Sequence, residues 1–285
     1  MPSLALLANT ASGDGGADEV ESILRSRGAE VAAFPIAERE RALTTEPDRI
    51  VVAGGDGSIA CVAACAARSG RPLAVIPTGT ANDFASGVGL PERIEEACAL
   101  AVEGDELRPM ELGWAGERPF VNVASAGLSP VAAEHAGALK DRLGALAYPL
   151  GAIRAGATAR PVRCRVAREG EPFFEGEAWQ VSIACTGAFG GGASLETDAG
   201  DGRLDLVVIE RGSRIRLVQR AYGMRAGRVE RQRGVRDGRC DHAELSLPPS
   251  KRLNVDGELV GAGELGRDGS IAFRADADAF RLVVG

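Results

Sequence analysis

The chain of 285 residues has room for one or two domains, and with 45% hydrophobic and 26% charged residues it has the composition of a folded globular protein, not a disordered one. Its formal net charge of −7 argues against general nucleic-acid binding, which needs a basic face, and its six cysteines contain no Cys-x-x-Cys pair that would indicate a zinc site or a disulfide framework. The N-terminal stretch MPSLALLANTASG has no basic region and only a short apolar run, so we expect a cytoplasmic protein without a signal peptide or membrane span.

Apolar runs and helical spacings alternate through the first part of the chain. Strands are predicted at residues 4–8, 31–34, 50–53 and 73–76, and helices at residues 18–27, 39–44 and 58–68. This alternation is typical of a doubly wound parallel sheet, whose ligands bind beyond the carboxyl ends of the strands. We therefore predict an α/β domain over residues 1–113.

The pattern changes after residue 113, where short alternating runs are separated by turn residues. Runs such as RPFVNVASAG, EAWQVSIACTG, GRLDLVVIE and LNVDGE indicate antiparallel strands, and a helical insert is predicted over residues 131–157. The second domain is therefore predicted to be an antiparallel, β-rich sandwich over residues 114–277. A return of the C-terminal residues 278–285 to the first domain is compatible with the sequence.

The stretch VVAGGDGSIA places Gly54, Gly55 and Gly57 directly after a β-branched run and before a helix. Glycines there let backbone N–H groups approach an anion, and the helix N-terminus adds partial positive charge, so the loop predicts a phosphate cradle. It is neither a Walker A motif nor a G-x-G-x-x-G pattern. Asp56 within the cradle would repel a phosphate unless a divalent metal or a donor hydroxyl stood between them, and a helix cap or turn is its alternative role.

A second polar loop, PTGTANDFA, follows the next predicted strand. Thr78, Thr80, Asn82 and Asp83 emerge there from a neighbouring strand at the same edge of the sheet. We therefore expect both loops to contribute to one site.

The two loops together resemble the motifs of the diacylglycerol kinase catalytic-domain family, which includes bacterial YegS-like lipid kinases and is related to sphingosine and ceramide kinases. The segments FVNVASAGLS and LGALAYPLGAIR are similar to the start of that family's second domain. The resemblance implies a first domain like that of NAD kinase and phosphofructokinase, with ATP as the phosphoryl donor. It assigns nucleotide contacts to Asn9, Ser12, Gly54, Gly55, Asp56, Gly57, Ser58, Thr80, Asn82 and Asp83.

The same resemblance implies a metal site and a catalytic base. GGGASLETDAGDGRLDLVVI is similar to the stretch in which family members bind a structural Mg²⁺, so Asp198, Asp201 and the carbonyl of Arg203 correspond to its ligands. LNVDGE matches the family's Asp-Gly-Glu motif, which makes Glu258 the expected proton acceptor and, together with Asp56, a catalytic residue. These parts suit phosphoryl transfer, which needs a cradle and a cation for the phosphates and a positioned base for the acceptor hydroxyl. A solvated carboxylate beside a hairpin turn is the alternative role of Glu258.

Two departures from the family pattern bear on function. Ala60 and Cys61 replace the Asn-Glu pair that follows the first motif, and Leu128-Ser129 occupies a segment where many diacylglycerol kinases carry an aspartate. The predicted function is ATP-dependent transfer of a phosphoryl group to a lipid hydroxyl, with the acceptor lipid undefined. An NAD kinase-like enzyme, a kinase of a hydroxylated small metabolite and a catalytically silent nucleotide-binding protein remain open as alternatives.

Positive charge is concentrated between Glu210 and Arg239, where ten arginines stand against three acids in an otherwise acidic chain. A basic face attracts anionic lipids, so this segment predicts peripheral docking on the inner face of the membrane, with a solvated surface as the alternative. The predicted partners are thus ATP, a lipid substrate and a membrane surface. A homodimer is compatible with the sequence, and no nucleic-acid partner is expected.

Overall fold

The computed structural model describes residues 1–9, 16–137, 154–156, 158–185, 202–214 and 234–285. The chain divides into two units, one formed by Met1–Leu112 with Ala277–Gly285 and the other by Gly113–Asp276. The C-terminal strand, Ser270–Val284, begins in the second unit and ends in the first.

A parallel sheet forms the centre of the first unit. Besides the end of the C-terminal strand, its strands are β1 (Ser3–Ala8), β2 (Glu30–Pro35), β3 (Arg49–Gly54) and β4 (Leu73–Pro77). β1 lies between β2 and β3, β4 lies between β3 and the C-terminal strand, and every pair is parallel. Because β1, β3 and β4 are buried along almost their whole length, they read as apolar runs and not as alternating patterns.

Helices connect these strands. They are α1 (Gly16–Ser26), α2 (Arg39–Leu43), α3 (Asp56–Ser69), α4 (Asp83–Gly87) and α5 (Ile94–Glu103), with a 3₁₀ turn at Ile36–Glu38. α3 buries Ile59 and Val62 at helical spacing, and it ends at Gly70, whose left-handed φ of 69° lets its N–H bond to the carbonyl of Ala66. Because α3 begins at Asp56, directly after β3 ends at Gly54, its first turn lies at the carboxyl end of β3.

Antiparallel strands build the second unit. In chain order the remaining strands are β5 (Glu106–Ala115), which begins in the first unit and ends in the second, β6 (Arg118–Phe120), β7 (Val123–Gly127), β8 (Val162–Arg168), β9 (Glu171–Ala184), β10 (Leu204–Glu210), β11 (Val235–Cys240), β12 (His242–Ser246), β13 (Arg252–Val255), β14 (Glu258–Gly261) and β15 (Ser270–Val284). Two helices of this unit have both ends in the described residues, α6 (Leu128–Gly137) and α7 (Ala262–Leu265), and residues 154–156 are also helical. The strand order is β14-β13-β7-β9-β8-β12-β15, with β10 also paired to β9 and β11 to β10. Phe120 and Phe273 meet edge to face in the core at 6.4 Å between ring centroids.

The predicted fold class, an α/β unit followed by an antiparallel β-rich unit, is confirmed. Element limits differ by small amounts, because α3 begins at Asp56 and not at residue 58, and α6 begins at Leu128 and not at residue 131. The part of the predicted insert between residues 138 and 153 lies outside the described residues. α5 was not predicted, although it buries Ala97, Cys98 and Ala101 at helical spacing. Within the described ranges, no helix combines the length and the apolar character needed to cross a bilayer.

Candidate functional site

The first loop, residues 54–58, joins the end of β3 to the start of α3. Gly55 is the N-cap of α3 with extended backbone angles, and the N–H groups of the helix's first turn have no intrahelical carbonyl to bind. A Cβ on Gly54 would lie 2.7 Å from Cβ of Ser58, so this position requires glycine for steric reasons. The loop therefore presents backbone donors at a helix N-terminus, which is the arrangement that binds anions.

The second loop, residues 78–83, follows β4 and leads into α4. Asn82 has a left-handed φ of 52°, and its side chain closes the loop by accepting the N–H of Gly79 at 2.9 Å and donating to the Gly79 carbonyl at 3.2 Å. Thr80 between them is exposed. Asn82 thus shapes the loop, and Thr80 offers a hydroxyl to solvent.

The two loops are in direct contact. The N–H of Thr78 donates to the carbonyl of Gly54 at 3.2 Å, as a continuation of the pairing between β3 and β4. A Cβ on Gly79 would lie 2.6 Å from Cα of Gly55, so the backbones approach as closely as they do only because Gly79 has no side chain. The predicted meeting of the loops at one sheet edge is therefore found in the structure.

Asp56 ties the loops together. Its Oδ1 accepts the N–H of Phe84 at 2.8 Å and its Oδ2 accepts the N–H of Asp83 at 3.2 Å, both in the first turn of α4. A metal or a donor hydroxyl beside this carboxylate stays a prediction, and the two hydrogen bonds given above join it to backbone amides at the start of α4. The carboxylate thus caps a helix, but the helix is α4 and not its own.

Negative charge accumulates where the loops meet. Burial raises the pKa of the Asp83 carboxyl above its ordinary value, and the neighbouring charge of Asp56 raises it further. Two carboxylates that repel each other where the two loops meet would be stabilised by a cation beside them.

Glu258 stands at the start of β14, directly after the turn formed by Asp256 and Gly257. Both turn residues have positive φ, 46° and 87°, which is the geometry of a tight two-residue hairpin. The Glu258 side chain is more than half exposed and forms an ion pair with Arg118 of β6. Its carboxylate is therefore accessible to solvent and is paired with a cation.

The other predicted site residues lie directly after β1, in the second unit, or outside the described residues. Asn9 directly follows β1 and is exposed, while Ser12 lies outside the described residues. Of the predicted metal ligands, Asp198 and Asp201 also lie outside them, and the Arg203 side chain pairs with Asp241 at 3.2 Å. Within the described ranges, no group of three or more His, Cys, Asp or Glu side chains is arranged to hold a metal ion.

Sequence reasoning missed a polar network at the start of α6. The N–H of Ser129 donates to Oε1 of Gln180 at 3.0 Å, and Nδ2 of Asn254 donates to Oγ of Ser129 at 3.0 Å. Ser129 occupies the segment where many family members carry an aspartate, and here it binds two neighbouring strands. Nothing in the local sequence pattern indicates these partners.

The arginine-rich segment is described only at its two ends. Arg211 pairs with Glu177, Arg236 with Glu210, and Arg239 with Asp205. Arg214 donates to the carbonyls of Gly156 and Ala159 and lies over the ring of Trp179. These four arginines therefore serve contacts within the chain, and the other six lie outside the described residues.

The described chain combines an α/β unit that carries two joined polar loops with a β-rich unit. Residues 3–115 match the family described as diacylglycerol kinase catalytic domain, and residues 122–268 match the YegS C-terminal NAD kinase beta sandwich-like domain. A diacylglycerol kinase of Bacillus subtilis is 31% identical over 231 residues, which cover 79% of this chain and 75% of the relative. The chain belongs to the diacylglycerol kinase family.

Solved structures agree with this assignment at the level of the fold. The crystal structure of a diacylglycerol kinase from Bacillus anthracis superposes with a TM-score of 0.76 at 20% identity, covering 100% of this chain and 97% of the other. Yeast NADH kinase, solved in complex with NADH, superposes with a TM-score of 0.55 at 11% identity, covering 99% of this chain and 82% of the other. The NAD kinase-like fold that the family resemblance implied is thus found.

Proposed function

We propose that this protein is an ATP-dependent lipid kinase that transfers the γ-phosphoryl group of ATP to a lipid hydroxyl. The observation that carries the proposal is the joining of the first and second loops through the Asp56 carboxylate. It holds backbone donors at the carboxyl ends of neighbouring strands, where open α/β sheets bind their ligands. The family supplies the reaction class, and the name diacylglycerol kinase carried by its relatives supplies a lipid alcohol as the acceptor.

The first loop is the proposed phosphate-binding element. Backbone N–H groups of Gly55, Gly57 and Ser58 lie at the N-terminus of α3, whose dipole favours a polyphosphate. Thr80 on the second loop offers an exposed hydroxyl. Asn9 and Ser12, after β1, are proposed to contact the nucleotide from the adjacent strand.

Mg²⁺ is proposed to accompany the nucleotide. Mg²⁺ is usually held by one or two carboxylates together with substrate phosphates, and the pair formed by Asp56 and Asp83 fits that ligand set. When bound, the ion would neutralise the negative charge of the phosphates. A separate structural Mg²⁺ site at Asp198, Asp201 and the Arg203 carbonyl stays a proposal from the family resemblance.

Glu258 is the proposed proton acceptor. The acceptor oxygen forms its bond to the γ-phosphorus, the bond to ADP breaks with its electron pair leaving on ADP, and the hydroxyl proton passes to the carboxylate. Since the proton leaves only as the new bond forms, geometry matters more for this step than a raised pKa. The exposure of Glu258 supports access by an acceptor.

A radiolabelled-ATP assay tests the proposal. Purified protein is incubated with Mg²⁺ and [γ-³²P]ATP in the presence of extracted lipids, defined diacylglycerol, or NAD, and each is repeated with EDTA. Label in the organic phase that depends on Mg²⁺ is the expected result. Label in a water-soluble product of NAD would favour the NAD kinase-like alternative, and ATP binding without transfer to any acceptor would mean a catalytically silent protein.

Membrane docking is proposed as the route to a lipid acceptor, with the protein otherwise cytoplasmic. It depends on arginines of the 210–239 segment other than the four that already serve contacts within the chain. Co-sedimentation with anionic vesicles that weakens at high salt is the expected result, because salt screens such attraction. Equal binding to neutral vesicles, or none to either, would contradict it.

A further inference from the structure

The hairpin that carries Glu258 is anchored by a buried carboxylate. Asp256 is only 8% exposed. Its Oδ2 accepts the N–H of Val121 at 2.7 Å, and its Oδ1 accepts the N–H groups of Asn122 and Val123 at 3.0 Å each. Burial of a carboxylate is costly unless several donors compensate it, so these bonds fix the hairpin turn on the 121–123 segment.

The strand directly before this segment provides the cation that binds Glu258. Arg118 lies in β6, just before the 121–123 segment, and its Nη2 donates to Oε2 of Glu258. Arg118 is 31% exposed and Glu258 is 58% exposed, so the pair lies at the surface with the carboxylate the more open member. Residues 118–123 therefore hold the Asp256-Gly257 turn through backbone N–H groups and hold Glu258 through the guanidinium of Arg118.

The two carboxylate oxygens of Glu258 are not equivalent. Oε2 is held by Arg118, and no hydrogen bond to Oε1 is found among the residues that the structure describes. Holding one oxygen restricts rotation of the carboxylate and leaves the other available to a substrate. A carboxylate whose rotation is already restricted loses less conformational entropy when it accepts a hydrogen bond from an acceptor hydroxyl.

From this geometry we propose that Arg118 and Asp256 are positioning residues for the Glu258 base, an inference that rests on the proposed kinase function. Asp256 sets the place of the hairpin, and Arg118 sets the direction of the carboxylate. In the transfer step the acceptor O–H bond breaks as the O–P bond forms, the proton goes to Oε1 of Glu258, and ADP leaves with the electron pair of the broken P–O bond. Neither positioning residue gains or loses a proton.

The test compares steady-state kinetics of Arg118→Ala, Arg118→Lys and a matched control, Arg252→Ala. Arg252 lies on the same hairpin and forms a 3.5 Å surface ion pair with Glu134, so its loss removes an arginine without touching Glu258. We expect Arg118→Ala to lower kcat by roughly 10-fold to 100-fold with the KM for ATP within about twofold of wild type. Arg118→Lys should recover much of the loss, and Arg252→Ala should behave as wild type.

A double variant shows whether Arg118 acts through Glu258. If it does, Arg118→Ala should cost little further activity in a Glu258→Gln background, because the effects of residues that act as a unit are not additive. Asp256→Asn should also lower kcat and should speed amide exchange at residues 121–123. Should Asp256→Asn fail to fold, the Arg118 series alone decides.

Distinct results would overturn the inference or the function beneath it. Wild-type kcat in Arg118→Ala, an effect confined to the KM for ATP, or an equal loss in Arg252→Ala would each reject Arg118 as a positioning residue while leaving the kinase function standing. A wild-type protein that transfers phosphate to no lipid would reject the proposed function itself, and the positioning role with it.

Discussion

Asp56→Ala removes the carboxylate that joins the two loops. The change deletes two hydrogen bonds to backbone amides, at 2.8 and 3.2 Å. Bonds to a charged group contribute about 1.5–3 kcal/mol each, and relief of the repulsion with Asp83 offsets part of the loss, so we expect α4 to be destabilised locally by about 2–4 kcal/mol. Asp56 lies outside the apolar core of the first unit, so the sheet should stay folded.

Hydrogen exchange and kinetics together measure this effect. A local loss of about 2–4 kcal/mol corresponds to roughly 30-fold to several-hundred-fold faster exchange at the amides of Asp83 and Phe84. Phosphoryl transfer should be abolished, because the loops no longer hold their donors in register. Asp56→Asn keeps one acceptor oxygen and should fall between wild type and Asp56→Ala. Asp18→Ala is the matched control, since Asp18 is an exposed carboxylate in the first turn of α1.

Two results would refute the reasoning. Unchanged exchange at Asp83 and Phe84 in Asp56→Ala would mean that the carboxylate does not hold α4. Faster exchange with wild-type turnover would mean that joining the loops is irrelevant to the reaction.

Four other substitutions or treatments have expected outcomes. Glu258→Gln keeps the shape of the side chain but cannot accept a proton, so kcat should fall roughly 10²-fold or more with ATP affinity little changed, as measured by steady-state kinetics. Gly79→Ala places a Cβ 2.6 Å from the facing backbone, so the loops must separate and ATP affinity in calorimetric titration should fall at least ~10-fold. Asp83→Asn removes a carboxyl whose pKa is raised in the folded state, which means that the ionised form of Asp83 destabilises the fold. Without Mg²⁺ or nucleotide, the variant should therefore melt at a higher temperature than wild type at pH 7. The difference in melting temperature should vanish below pH 3.8, the ordinary pKa of the carboxyl, where the wild-type side chain is protonated in both states. Burial raises the pKa of Cys240 to about 12, so a thiol reagent at pH 8 should label half-buried Cys61 in the native protein and Cys240 only after denaturation.

Each of these outcomes has a control or a contrary result. Gly16→Ala tests the steric argument, because a Cβ there meets nothing within 4 Å. Full activity in Glu258→Gln would show that Glu258 is not the proton acceptor. A lower melting temperature for Asp83→Asn at pH 7 would show that Asp83 has a favourable partner that outweighs burial. Labelling of Cys240 in the native state at the rate of Cys61 would contradict its burial.

Much of the fold could be predicted because its signals are local. Runs such as Val51 to Ala53 are apolar along their length, since parallel strands are covered on both faces, and the turns after them are marked by glycine. In the second unit the Asp256-Gly257 pair between two short alternating runs indicates a hairpin, and the structure has one there. The class of each unit follows from such patterns without any knowledge of contacts.

The partners of the site residues could not be predicted, because they are distant along the chain. Asp56 binds amides 27 and 28 residues away, and Arg118 meets Glu258 across 140 residues. Every residue except proline has a backbone N–H group, so the residue types near Asp56 do not indicate which amides donate to its carboxylate. The roles of all the candidate site residues stay predictions, and Ser12, Asp198 and Asp201 lie outside the described part of the chain.

The position of Asp56 offers a reason for an acid in the proposed phosphate cradle. The carboxylate is in the first turn of α3, where the helix dipole favours negative charge, and its oxygens reach the first turn of α4. Asp56 therefore fixes the position of the N-terminus of α3 relative to that of α4. Its negative charge also reduces the positive potential that the two N-termini present to an anion. A cation bound with the nucleotide would restore this potential, because an ion beside Asp56 and Asp83 would neutralise their charge together with that of the phosphates. An amide side chain in place of Asp56 would spare the potential but would lose one of the two acceptors that hold the second loop.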